Sequence, residues 1–193
     1  MPLAPWKPLL ARALHRNRSQ PQSRYLQLAT VSHDGRPANR TVVFRGFSEP
    51  DDTLLMVTDQ RSQKISHITH QPWAEACWYF AKTREQFRLA GRITCFDWTA
   101  EGTGQDLRCR TWAALSEAAR RQFSWPTPAQ PRSPESAFEK QEIDLHSPLT
   151  HFCVLSLTPN RVDHLELRSQ TRCLYQYPCD QPEATWTITP VNP

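Results

Sequence analysis

RYLQLATVSHDGRPANRTVVFRGF, residues 24–47, decides the fold. Tyr25–Val31 alternates apolar and polar residues, the pattern of a half-buried strand. Asp34-Gly35 follows, a dipeptide suited to a tight hairpin because both residues tolerate positive φ. Arg40–Arg45 then returns as a second strand rich in β-branched residues. A hairpin so near the start favours antiparallel β architecture over a parallel sheet with crossover helices.

The same periodicities extend outward. Thr53–Thr58 reads as a third strand, and Ser62–His70 as a short helix with Ile65 and Ile68 on one face, ended by Pro72. Ala74–Phe80 and Phe87–Phe96 read as a hairpin around Lys82-Thr83-Arg84. Leu107, Trp112, Leu115 and Ala119 recur near 3.6 residues, which predicts one helix over Asp106–Phe123. Four prolines over 126–134 force an extended loop, and Glu135–Glu142 is expected to form a short second helix. Four strands are expected to close the chain, at Phe152–Leu157, Arg161–Leu167, Arg172–Tyr177 and Thr185–Thr189. The fold class is mainly β with peripheral helices, in a closed or nearly closed barrel.

Composition bounds the function. A length of 193 residues fits one domain able to bury a core without staples. The net charge is only +4, too weak a field for a nucleic-acid partner. No apolar run reaches membrane-spanning length. There is no GxGxxG, no GxxxxGK[ST], no GxSxG and no HExxH. The six cysteines show no CxxC and no zinc spacing, so no metal site is expected; they read as reduced thiols of a cytoplasmic protein. His67 and His70 share a helix face but lack a third ligand. Glu135, Glu139 and Glu142 read as a solvated helix face. Residues 1–24 are basic and free of carboxylates, with Trp6, Leu10 and Leu14 in a stripe. Such a segment is either a terminal helix packed on the domain, the favoured reading, or a transit peptide.

Cations and donors gather on the first strands. Arg40 and Arg45 bracket TVVF; five residues apart, they point to opposite faces unless a bulge intervenes. Thr58, Ser62 and Lys64 sit where a helix begins, and a helix N-terminus offers free N–H groups and a positive dipole end. Two readings stand side by side: a phosphate cradle built without glycines, or a capping serine beside a solvated lysine.

Three ordered blocks carry a resemblance: residues 24–47, then TDQRSQKISHITHQPWAEACWYF (58–80), then REQFRLAGRI (84–93). Together they resemble the FMN-binding half of the pyridoxamine 5′-phosphate oxidase family, over about 24–95, and RSQTRCLYQY (168–177) resembles its closing strand. The resemblance implies a six-stranded antiparallel FMN-binding split barrel in one domain spanning 1–193. Its parts would be an FMN-binding core at 24–97, a helical and Pro-rich insertion at 105–150, and closing strands at 151–193. It implies FMN as cofactor and a homodimer with FMN at the subunit interface.

Carried over by position, Arg40 would hold the FMN phosphate, and the backbone of Thr41, Val42, Val43 and Phe44 would face the polar edge of the isoalloxazine ring. Arg45 stands for the family's lysine, keeping charge but not shape. Val57, Thr58, Ser62, Gln63 and Lys64 would complete the cofactor site, with glutamine at 63 where the family has a second cation. Gln86 matches a flavin-contacting glutamine, and Arg172 matches an arginine reaching FMN from the second subunit. Arg45, Arg168 and Gln170 would meet substrate, with Gln170 where the vitamin B6 oxidases have histidine. No catalytic acid or base is assigned.

The expected function is an FMN-dependent oxidoreductase acting on a small, anionic substrate. With a B6 phosphate as substrate, the family pattern implies dioxygen as acceptor and release of hydrogen peroxide. The alternative is a non-catalytic FMN carrier or sensor on the same fold. A basic nucleic-acid module is the weakest reading. Trp112, Phe123 and Trp125 are expected either to line the substrate pocket or to pack the insertion on the barrel.

Overall fold

The structure is a computed structural model, and it describes residues 4–48, 52–139, 144, 146–178 and 184–193. Eight strands form one antiparallel sheet: β1 (Tyr25–Val31), β2 (Pro37–Ser48), β3 (Thr53–Asp59), β4 (Trp73–Phe80), β5 (Glu85–Phe96), β6 (Phe152–Glu166), β7 (Thr171–Gln176) and β8 (Thr187–Val191). They are ordered β3-β2-β1-β4-β5-β6-β7-β8, and β3 also pairs with β6, Leu54 opposite Leu157 through Asp59 opposite Phe152. That pairing closes the first six strands into a barrel, which removes its free edges. β7 and β8 extend the sheet beyond β6.

Four helices surround the barrel: α1 (Lys7–Asn17), α2 (Gln63–His70), α3 (Thr103–Ala113) and α4 (Glu117–Arg121). Leu26 and Leu28 of β1, Trp78 and Phe80 of β4, and Phe87 and Leu89 of β5 point inward by period-two alternation. Trp6, Leu10 and Ala13 bring α1 onto this core, as the favoured reading of the basic N-terminal segment expects. A second apolar cluster outside the barrel joins Leu55, Phe152 and Val154 to Trp112, Leu115 and Phe123. Arg108 fixes the same contact, donating to the carbonyl of Phe152 at 2.9 Å and of Leu149 at 2.6 Å. The insertion is thereby seated against β3 and β6. Among the described residues, no helix is long and apolar enough to cross a membrane, and five cysteines are free thiols.

Three expectations need correction. Asp106–Phe123 is not one helix. It breaks after α3, and Ser116 starts α4 by accepting from the Ala119 N–H; a 3-10 turn at Gln122–Ser124 follows. Glu135–Phe138 forms only a 3-10 turn, and residues 140–142 lie outside the described residues. Phe152–Leu157 and Arg161–Leu167 are halves of one strand, β6, running through Pro159. The ladder shifts register there: Ala90 pairs with Arg161 and Gly91 with Pro159. A bulge is where a strand tolerates proline. Gly91 permits the close approach, since a methyl group at this position would collide with the Thr158 carbonyl and come within 2.7 Å of the Pro159 Cα.

Candidate functional site

A β-bulge builds the site. β2 pairs Phe44 with Met56 but Gly46 with Leu55, so Arg45 is the extra residue, and Gly46 has a φ of 142°. The alternation of β2 is broken at this point, and Arg40 and Arg45 both line one cavity of about 540 Å³. Thr41, Val42, Val43, Val57, Thr58, Asp59 and Lys64 line it as well.

One end of the cavity is cationic. Arg40 donates to the Leu28 carbonyl at 3.0 Å and to Thr30 Oγ1 at 2.8 Å. Lys64 Nζ donates to Thr58 Oγ1 at 2.7 Å and to Ser62 Oγ at 2.8 Å. Ser62 is the N-cap residue of α2, yet its hydroxyl makes no cap bond. It lies 3.3 Å from Thr58 Oγ1 instead. Lys64 is half-buried; burial, and then the charge of Arg40, push its pKa below the ordinary lysine value. Burial also lowers the Arg40 pKa, although a guanidinium stays charged throughout. The carboxylate nearby, Asp59, is engaged by Arg61, Nη2 to Oδ2 at 2.7 Å and Nε to Oδ1 at 3.0 Å. Arg40, Lys64 and Thr58 line the cavity, with Ser62 hydrogen-bonded to Lys64 and Asp59 held by Arg61, a donor set that fits a phosphomonoester.

Arg45 borders a second cavity of about 490 Å³, whose lining includes Arg24 and Arg110 over Phe47, Leu55 and Leu115. Its Nε is buried and has no hydrogen-bond partner among the described residues. Burial and then the charge of Arg24 lower its pKa. None of the three arginines has an ion pair among the described residues. A buried donor without a partner costs about 1–3 kcal/mol.

Another part of the lining of the first cavity comes from the insertion and includes Phe123, Trp125, Arg132 and Phe138. Arg61 pins it, donating to the Trp125 carbonyl at 2.9 Å and to Thr127 Oγ1 at 3.4 Å. The aromatic residues of the insertion therefore divide: Trp112 is fully buried in the second core, Trp125 faces the cavity, and Phe123 does both.

The other expected site residues lie elsewhere in the chain. Gln63 is exposed, and Phe44 is buried in the barrel core. Gln86 is on β5, 3.9 Å from Cys77 Sγ. Arg172 clamps Asp163 at 2.8 and 2.9 Å, Arg168 donates to the Lys82 carbonyl at 2.7 Å, and Gln170 sits in the β6–β7 turn with φ 54°. None of these six borders either cavity of its own chain. Arg24, Arg110 and Arg132 were not expected at the site. Their only signal in the sequence is a basic side chain, which is too common to single out.

Comparison with known proteins fits this geometry. Residues 3–97 match the family model described as "Pyridoxamine 5′-phosphate oxidase, FMN-binding domain". The chain is 41% identical over 194 residues to pyridoxine/pyridoxamine 5′-phosphate oxidase 2 of Arabidopsis thaliana, covering 99% of this chain and 98% of that one. A solved structure of a pyridoxamine 5′-phosphate oxidase-related, FMN-binding protein from Nostoc punctiforme superposes with a TM-score of 0.93 at 51% identity, covering 100% of both chains. PhzG from Burkholderia lata shares the fold, with a TM-score of 0.76 at 18% identity over 99% of this chain and 98% of that one.

Proposed function

The chain belongs to the pyridoxamine 5′-phosphate oxidase family and carries its FMN-binding domain, and from that premise we propose that it is an FMN-dependent oxidoreductase acting on a small anionic substrate. The observation that carries this reading is Arg45, which lines both the cavity suited to a phosphomonoester cofactor and the second cavity, with Arg24 and Arg110.

FMN, when bound, supplies the redox chemistry, accepting or donating two electrons. Arg40, Lys64, Thr58 and Ser62 hold its phosphate, and the backbone of Thr41–Phe44 offers N–H and C=O groups to the polar edge of the ring. Arg45, Arg24 and Arg110 hold the anionic group of the substrate and so fix the reacting carbon against the cofactor. No side chain of this set is needed as a general base. The similarity to pyridoxine/pyridoxamine 5′-phosphate oxidase 2 makes pyridoxine or pyridoxamine 5′-phosphate the first substrate to test.

We propose a homodimer for the same site. Gln86, Arg168, Gln170 and Arg172 lie away from the cavities of their own chain, so each would serve the site of a partner. A shared site of this kind makes assembly part of function.

The test is the visible spectrum of the purified protein before and after FMN loading and desalting, followed by turnover of pyridoxamine 5′-phosphate with detection of hydrogen peroxide. One retained FMN per chain with turnover is expected. Retained FMN without turnover or anion binding would favour a carrier or sensor, and a protein that cannot be loaded would remove the reading.

A further inference from the structure

The sequence shows glutamine at position 63, where the resemblance places a second phosphate-binding cation. The structure turns that residue to solvent, in the first turn of α2 and outside the cavity. A single lysine and Arg40 would then face a group that carries about −1.5 to −2 charges at neutral pH. Arg61, beside the same turn, is not free to help. It is bound to both oxygens of Asp59 and to the Trp125 carbonyl.

Another cation lines the same cavity. Arg132 belongs to the Pro-rich strap of the insertion, and its guanidinium carbon lies 4.1 Å from the centre of the Phe138 ring. It has no carboxylate partner among the described residues. The ring packs one face of the guanidinium, and its in-plane N–H groups, the edge with which arginine grips phosphate, have no hydrogen-bond partner among the described residues. The strap is no loose loop. Pro126, Pro128, Pro131 and Pro134 restrict its backbone, and Arg61 ties its first residues to the end of β3, next to Thr58 and Ser62.

We propose that Arg132 is the second cation of the FMN phosphate site, delivered by the insertion in place of residue 63. The strap then closes the phosphate end of the cavity, and Arg61 is the positioning residue that sets its distance from α2. This rests on the FMN reading above. It gives the insertion a role in cofactor retention, separate from the arginines around Arg45 that take the substrate.

The experiment compares FMN with riboflavin, which lacks the phosphate, by quenching of flavin fluorescence at low and moderate salt. The proteins are the full chain and its Arg132→Gln, Arg132→Lys and Gln63→Ala variants. Arg132→Gln should weaken FMN by roughly tenfold to hundredfold, the worth of one charge-assisted hydrogen bond, and leave riboflavin unchanged. The salt dependence of FMN binding should flatten in the same variant. Arg132→Lys should recover part of the affinity, and Gln63→Ala should change neither ligand. An unchanged preference for FMN over riboflavin in Arg132→Gln overturns the proposal, as does an equal loss of both ligands. A wild-type chain that binds neither flavin, or both equally, would overturn the phosphate site itself and the proposal with it.

Discussion

Lys64 of α2 and Thr58 of β3 are joined by a hydrogen bond of 2.7 Å, Nζ to Oγ1, across the turn that connects their elements. The lysine is half-buried, and its charge is met there by hydroxyls, with Asp59 engaged by Arg61. In the proposed function this is the group that meets the FMN phosphate. Lys64→Ala and Arg40→Ala should each weaken FMN binding by about tenfold or more. Both variants should stay folded, because neither side chain belongs to the apolar core. Equilibrium titration of FMN fluorescence, with circular dichroism as the folding control, checks this; unchanged affinity in both would remove the phosphate assignment.

In the proposed function, Arg110 tells the substrate site from the cofactor site. It borders the second cavity and not the first. Arg110→Ala should leave the FMN dissociation constant unchanged and raise KM for pyridoxamine 5′-phosphate by about tenfold, the loss of one charge-assisted contact. Steady-state kinetics on the FMN-loaded protein decide it, and parallel loss of flavin would contradict the assigned role.

The shared site predicts complementation. Arg40→Ala spoils the cavity of its own chain, whereas Arg172→Ala is expected to spoil that of the partner. A co-expressed mixture of the two should recover part of the FMN binding that each homodimer lacks. No recovery, in a mixture shown by mass spectrometry to contain heterodimers, would place Arg172 outside the site.

Arg172 also shapes the response to acid. Its guanidinium beside Asp163 holds that carboxyl below the usual range, and the Asp163 side chain is nearly buried. A lowered carboxylate pKa stabilises the fold above the unfolded value of about 3.9, and that stabilisation is lost as pH falls through the folded value. Asp163→Asn should therefore lower the urea midpoint at pH 6 and cost progressively less below pH ~4. Equal costs at pH 6 and pH 3 would show that the pair does not set acid stability.

Gly91→Ala tests the barrel bulge. The added methyl group meets backbone atoms of Thr158 and Pro159, which cannot rotate away. A loss of at least about 1–3 kcal/mol is expected, the usual cost of overpacking. Urea unfolding measures it, and a neutral substitution would mean that β5 and β6 can separate there.

The local elements were legible because their causes are local. Alternation at Tyr25–Val31, the Asp34-Gly35 turn and the start of α2 near Ser62 each depend on neighbours a few residues away. The helix break at Ser116 was hidden, because Leu107, Trp112, Leu115 and Ala119 keep helical spacing across it while α4 turns to seat Phe123 on Phe152. The alternation at Phe152–Leu157 and at Arg161–Leu167 reads as two strands, with Pro159 between them. A glycine on the facing strand, some seventy positions away, lets β6 continue.

The sequence by itself determined that this is an antiparallel β protein with a cationic turn before α2, and the resemblance of three blocks pointed to FMN. Only the tertiary structure decided that the bulge at Arg45 brings it into one cavity with Arg40, and that Arg24, Arg110 and Arg132 gather around the same region. The reason is physical. Spacing along a chain fixes which face of an element a side chain occupies, whereas the meeting of distant charges is set by barrel closure and by the apolar packing that seats the insertion.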